Sequence, residues 1–195
     1  ASGKSEVTRM LESRGAHVIR ADKIGHQVLE DPAVGRLVIR QFGQSIVASD
    51  GHTIDRRQLG QKVFGDSPQA IARRRILESI THPPIRKRIR TELEHAVQES
   101  GSRWIVLDIP LLHESRWDRA CDVVWFVDAP EEIRIQRALA RGWTLEHFRA
   151  REASQWSIGS KKAHSTWVLR NDGSLEELEL EVQRALGNAD CSELR

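Results

Sequence analysis

The sequence predicts an α/β fold built on a parallel sheet, and three observations point there. Short, apolar, β-branched runs alternate with longer stretches of helical period. Two of those runs end in an aspartate, Asp108 and Asp128. The 195 residues favour one domain with excursions, long enough to bury a core without disulfide staples.

The elements follow in order. Lys4 to Arg14 reads as a helix, with Val7, Met10 and Leu11 on one face and Gly15 as its stop. His17-Val18-Ile19 is a buried strand running into Arg20-Ala21-Asp22, so that a carboxylate closes it. Residues 23–100 are mostly helical, with breaks expected at Asp31-Pro32, Asp50-Gly51 and His82-Pro83-Pro84. Trp104–Leu107 and Val123–Val127 are the clearest strands. Pro130 is placed to open a helix whose first turn carries Glu131 and Glu132. An Arg-rich helical pair spans 130–163, joined at Arg141-Gly142-Trp143. Trp167–Leu169 is a last strand. Ser174-Leu175-Glu176-Glu177 is a capping box for a terminal helix expected to reach Leu186, with a frayed tail to Arg195.

Composition narrows the function. Hydrophobic residues are 39% and charged residues 30%, with a mean hydropathy of −0.49. No apolar run approaches the ~20 residues of a membrane-spanning helix. Cys121 and Cys191 form neither a C-x-x-C pair nor a disulfide framework, which fits a reducing, cytoplasmic setting. A net charge of +2 argues against a protein built to coat nucleic acid. Only six of the 30 basic residues are lysines, leaving 24 arginines. Arginine's rigid fork of donors suits phosphate, although coding bias produces the same excess.

Gly3-Lys4-Ser5 is the second half of a phosphate-binding loop, G-x-x-x-x-G-K-[ST], and a helix follows at once. In such loops backbone N–H groups and the helix N-terminus cradle a polyphosphate, the lysine reaches the β/γ-phosphates, and the serine ligates Mg²⁺. Asp22 could accept a proton from a hydroxyl attacking ATP, or could simply cap a helix. Asp108 could hold Mg²⁺ through water, or could end a strand in an ordinary turn. Asp55-Arg56-Arg57 could grip an anion, whereas Arg73-Arg74-Arg75 reads as a solvated face with at most one residue turned inward. His82-Pro83 reads as a helix-entry device. The eight histidines show no metal-ligand spacing. Arg134, Arg137 and Arg141 recur at helical spacing, with Arg151 and Gln155 beyond; such a stripe is usually a solvated face, but bracketing a glycine turn it is also what the arginines of a mobile lid would form.

These segments in their order resemble the dephospho-coenzyme A kinase family over nearly the whole chain. The resemblance is carried by Ala1-Ser2-Gly3-Lys4-Ser5, by Ala21-Asp22 with His26, and by Asp50-Gly51, Ile54-Asp55-Arg56-Arg57 and Leu59 with Val63-Phe64. It continues through Leu77-Glu78, Ile80, His82-Pro83 and Ile85-Arg86, then Ile109-Pro110-Leu111-Leu112 with Glu114. Arg134, Arg137, Arg141, Arg151, Gln155 and Asn171 with Gly173-Ser174 complete it. It implies an ATP-dependent transferase that phosphorylates the ribose 3′-hydroxyl of dephospho-CoA, the last step of coenzyme A biosynthesis. The implied fold is the three-layer parallel sheet of P-loop NTPases, with a helical acceptor-binding insert and a helical lid. Residues 1–22, 101–134 and 164–195 would form the nucleotide-binding core, 23–100 the acceptor region and 135–163 the lid.

Carried over by position, the resemblance makes Asp22, Lys4 and Arg141 catalytic. Ala1, Ser2, Gly3, Lys4, Ser5, Arg137 and Asn171 would bind ATP, and Ser5 with Asp108 the Mg²⁺. Asp22, Arg56, His82, Pro110, Leu111 and Leu112 would face the acceptor. The partners implied are the two small substrates, with no nucleic acid or membrane, in a cytoplasmic monomer or weak homo-oligomer. Glu6, Arg20 and Thr166 depart from the family pattern, where threonine, an acid and aspartate are usual. The first glycine of the loop and the strand leading into it are expected upstream of Ala1, which would leave a strand-wide gap in the sheet. Two other readings remain, a P-loop kinase of another metabolite or nucleotide and a non-catalytic nucleotide- or RNA-binding relative.

Overall fold

The computed structural model describes residues 1–65, 67–99 and 101–192. In chain order, α1 (Lys4–Ser13) is followed by β1 (His17–Arg20), α2 (Ala21–Glu30), α3 (Pro32–Phe42) and α4 (Arg56–Val63). Next come the long α5 (Pro68–Glu99), β2 (Ile105–Asp108), β3 (Trp125–Asp128) and α6 (Glu131–Leu139). Then follow α7 (Leu145–Ala153), α8 (Ile158–Ala163), β4 (Trp167–Arg170) and α9 (Leu175–Ser192). The chain divides into two compact units, Ala1–Val18 with Asp108–Arg195, and Ile19–Leu107.

The α/β class with parallel strands is as expected. The strands, however, pair as β1 with β2 and β3 with β4, in two two-stranded sheets rather than one continuous sheet. β3 and β4 run parallel, with Trp125 opposite Trp167 and Asp128 opposite Arg170. Their entry is held by Thr166, whose Oγ1 accepts from the Val124 N–H at 3.0 Å. Threonine at this departure from the family pattern therefore has a local job. Both expected aspartates are the last residues of their strands, β2 and β3.

In the first unit α9 packs on β4 and α1 through Leu178, Val182, Ala185 and Ala189, all buried. That i, i+4 stripe runs past Leu186, so the helix continues to Ser192 instead of stopping there. The remainder of the expected frayed tail, 193–195, lies outside the described residues, as does the Cys191 side chain. The capping box forms as expected. The Ser174 N–H donates to Glu177 Oε2 at 2.7 Å, and the Glu177 N–H donates to Ser174 Oγ at 3.2 Å. The expected helical pair over 130–163 is three helices, because Ser157 caps α8 by accepting from the Ser160 N–H.

The second unit is helical around α5, which packs against α2, α3 and α4. The break expected at His82-Pro83-Pro84 does not occur, since α5 runs straight through both prolines. Each proline removes one N–H, so the carbonyls of Ser79 and Ile80 lose their ordinary partners. Burial outweighs that loss. Ala70 and Thr81 on one side, Ile89 and Ala96 on the other, anchor both halves on one face. His82 is thus mid-helix and exposed, not at a helix entry. Of the arginine triplet only Arg74 turns inward, donating to Val63 O at 3.2 Å and Gly65 O at 2.8 Å. Among the described residues no helix is long and apolar enough to cross a membrane.

The turn before α4 depends on Asp50. Its carboxylate accepts from the Thr53 hydroxyl and from the backbone N–H groups of Thr53 at 2.8 Å and His52 at 2.9 Å. Those bonds, the Thr53 hydroxyl first, hold the carboxyl down from an ordinary 3.8 to about 2. A depressed carboxyl stabilises the fold above its unfolded value and loses that contribution as pH falls through its folded value. Asp50→Asn should therefore be less stable than the wild type at pH 7, by urea unfolding. The difference should shrink as pH falls below 3.8 and be lost only below pH 2; a pH-independent difference would refute this account.

Candidate active site

Gly3 caps α1 at φ 107, in the left-handed region that side chains resist, and a Cβ there would overlap Asn171 Nδ2. Only glycine fits. Beside it the Ser2 carbonyl accepts from Asn171 Nδ2 at 2.6 Å and Arg137 Nη1 at 3.3 Å. Arg137 Nη2 in turn donates to Asn171 Oδ1 at 3.2 Å. Asn171 is itself set by the end of β4, where its N–H donates to Asp128 O at 2.7 Å, and it is 6% exposed. These bonds occupy the Ser2 carbonyl, while the Gly3 carbonyl closes the first turn of α1 by accepting from the Glu6 and Val7 N–H groups at 2.9 and 3.2 Å.

Lys4 pairs with Asp108 at the end of β2. Thr8, one turn along α1, donates to Lys4 O at 3.0 Å and reaches Asp108 Oδ2 at 3.5 Å. Asp108 keeps only 11% of its side chain exposed, so the ammonium compensates a carboxylate mostly withdrawn from water. Ser5 is exposed in the first turn of α1. Its hydroxyl and the Asp108 carboxylate are oxygen donors, the type a hard divalent cation takes. Glu6 pairs with Arg9 at 2.8 Å, which offsets the acid the family pattern lacks.

The three arginines of the lid-like stripe differ in their surroundings. Arg134 is buried and structural, with Nε and Nη2 on the Glu152 carboxylate at 2.9 and 3.1 Å and Nη1 on Ala129 O at 2.6 Å. Arg137 braces the loop. Arg141 is exposed in the turn at Gly142, whose φ is 79. Arg151 stacks on Trp143 at 4.7 Å, fixing the same turn.

Pro110 and Leu111 are exposed and Leu112 half-buried in the turn after β2, where Ser115 N donates to Leu111 O at 2.9 Å. Asp22, Arg56 and His82 belong to the second unit. Asp22 is exposed in the first turn of α2 rather than at a strand end; Arg20 takes the cap position, so the capping reading of Asp22 does not hold. Arg56 opens α4 after the Asp55 cap and lies 3.4 Å from Glu30. Sequence reasoning missed Thr8, Glu152 and Lys162, which meets Asp128 Oδ2 at 2.6 Å. The i, i+4 spacing from Lys4 could have flagged Thr8, but no local signal marks the other two.

A glycine-lysine-serine turn opening a helix, beside an acid at a strand end in an α/β fold, defines the class of P-loop phosphotransferases. The dephospho-CoA kinase family model matches residues 1–177. Among curated relatives, the dephospho-CoA kinase of Deinococcus radiodurans is 43% identical, covering 95% of this chain and 86% of its own. That of Symbiobacterium thermophilum is 41% identical, covering 95% and 76%. The solved dephospho-CoA kinase of Campylobacter jejuni superposes with a TM-score of 0.72 at 26% identity, covering 99% of this chain and 94% of its own. A crystal structure from Thermus thermophilus gives 0.78 at 34%, covering 96% and 92%. The chain belongs to the dephospho-CoA kinase family and is a kinase.

Gly3→Ala tests the loop. Forcing a Cβ into the left-handed region costs about 1–2 kcal/mol and displaces Asn171. Calorimetric titration should show ATP affinity falling by roughly tenfold or more. Wild-type affinity in this variant would mean that the loop does not need this geometry.

Proposed function

We propose that this protein transfers the γ-phosphoryl group of ATP to the ribose 3′-hydroxyl of dephospho-CoA, giving CoA and ADP. The observation that carries the reading is the left-handed Gly3 turn opening α1, with Lys4 set against Asp108. In the transfer, the 3′-oxygen forms a bond to the γ-phosphorus while the bond to the β,γ-bridging oxygen breaks, and ADP leaves. The hydroxyl proton goes to the Asp22 carboxylate, which is exposed in the first turn of α2.

The chain's part is positioning and charge neutralisation. The first N–H groups of α1 hold the phosphates, with Ser2 and Gly3 shaping the turn from Ala1 onward. Lys4 leaves Asp108 for the phosphate oxygens, and Arg141 faces the transferred group from the turn at Gly142. Arg137 and Asn171 brace the loop and border the nucleotide. Ser5 and Asp108 would hold a divalent cation, Mg²⁺ in this reading. When bound, Mg²⁺ supplies charge neutralisation at the β- and γ-phosphate oxygens. Pro110, Leu111, Leu112, Arg56 and His82 bind the acceptor.

The three-layer sheet of P-loop kinases is the proposed core, from 1–22, 101–134 and 164–195. Residues 23–100 form the acceptor region and 135–163 the lid, which excludes water and suppresses ATP hydrolysis. The setting is cytoplasmic, as a monomer or weak homo-oligomer with no nucleic-acid partner.

The test is incubation with ATP, Mg²⁺ and dephospho-CoA against a panel of other hydroxyl acceptors. Preferential turnover of dephospho-CoA is expected, and a preferred different acceptor would replace the reading. Asp22→Asn should keep ATP affinity while lowering kcat by ~10²–10⁴, the scale of a general base. A near-wild-type kcat would remove Asp22 from the mechanism.

A further inference from the structure

His113, Glu114 and Lys161 form a second polar cluster in the first unit, and no step above uses them. Glu114 Oε1 accepts from the Trp156 backbone N–H at 2.7 Å. Lys161 Nζ lies 3.6 Å from the same oxygen and donates to Gln155 Oε1 at 2.6 Å. The His113 ring stacks on the Trp156 indole at 5.3 Å, with 10° between the planes, and His164 meets the indole edge-on at 5.2 Å. The Lys161 and Glu114 side chains are only 13% and 19% exposed. Glu114 Oε2 and His113 Nδ1 are buried without a hydrogen-bond partner.

A carboxylate withdrawn from water with one oxygen unpaired is destabilising, and an apolar pair would brace the two segments as well. The role lies in what the charges join. Glu114 is two residues beyond Leu112 in the turn after β2. All its partners come from 155–161, the end of the segment assigned to the lid. The His113 and Trp156 rings stack face to face, the Trp156 N–H bond to Glu114 Oε1 sets the register of the two segments, and the Lys161 ammonium beside that oxygen compensates its charge.

We infer that Glu114 and Lys161 are positioning residues for the acceptor, locking the 109–116 turn to 155–161 so that Pro110–Leu112 present one fixed surface to dephospho-CoA. This rests on the reading of 110–112 as acceptor-binding. Neither residue touches the phosphate loop's own bonds, so nucleotide binding does not depend on them.

Steady-state kinetics of Glu114→Gln, Lys161→Met, the double variant and Lys161→Arg test it, with ATP affinity and thermal midpoint measured alongside. The KM for dephospho-CoA should rise roughly tenfold in Glu114→Gln and in Lys161→Met, through the loss of one part-buried ion pair. ATP affinity should be unchanged, the double variant no worse than either single one, and Lys161→Arg close to wild type. Both KM values rising together, or an unchanged acceptor KM with a lowered thermal midpoint, would make the cluster a structural brace and overturn the inference. Leu111→Ala separates the two readings. If it leaves the acceptor KM unchanged, or the wild type does not phosphorylate dephospho-CoA, the acceptor reading itself fails. If the wild type turns over and Leu111→Ala raises KM while the Glu114 and Lys161 variants do not, only the positioning role fails.

Discussion

A loop that binds phosphate must turn its N–H groups outward and its carbonyls away, and here that depends on what holds the Ser2 carbonyl. Asn171 and Arg137 both donate to it and bond each other. Asn171 makes the closer of the two bonds, at 2.6 Å, and Arg137 adds a longer one at 3.3 Å. Asn171 reaches that carbonyl because β4 pairs with β3 and its own N–H ends on Asp128. Gly3 is then the one residue type that both the backbone angle and Asn171 allow. The parallel pair, the helix α6 and the loop are one mechanical unit.

The same strand ends distribute the charges. Asp108 and Asp128 sit at equivalent places on β2 and β3, and each meets a lysine, Lys4 and Lys162. Their surroundings differ in consequence. Asp108 faces the first turn of α1 and pairs there with Lys4, its side chain only 11% exposed. Asp128 accepts instead from a lysine on α8. The arginines divide in the same manner, since burial assigns Arg134 to Glu152 and leaves Arg141 exposed at a turn. An arginine bias in composition says nothing of this division.

Burial also decided where local rules failed. Pro83 and Pro84 are strong helix breakers on intrinsic preference, about 3 kcal/mol each relative to alanine. α5 nevertheless continues, because its flanking turns share one buried face against α2, α3 and α4. Cys121 shows a related effect. Burial first, then Asp118 and Asp122, push its thiol up to about 11, which makes it a poor nucleophile at neutral pH.

Local sequence determined the elements whose signals lie within a few residues. The glycine-lysine-serine turn, the Ser174 capping box, the aspartates closing β2 and β3, and the glycine turn at 142 were all legible there, since caps and turns are set by near neighbours. The ordered series of motifs also sufficed to place the chain in its family. Tertiary structure alone decided the pairs formed by residues far apart in sequence, Lys4 with Asp108, Asn171 with Ser2, Arg134 with Glu152 and Glu114 with Lys161. It decided too that Asp22 lies inside a helix, that α5 runs through its expected break and that α9 outruns its expected end. Side-chain type and local spacing carry no record of which distant carbonyl or carboxylate will be buried beside them; only packing of the assembled elements selects that partner.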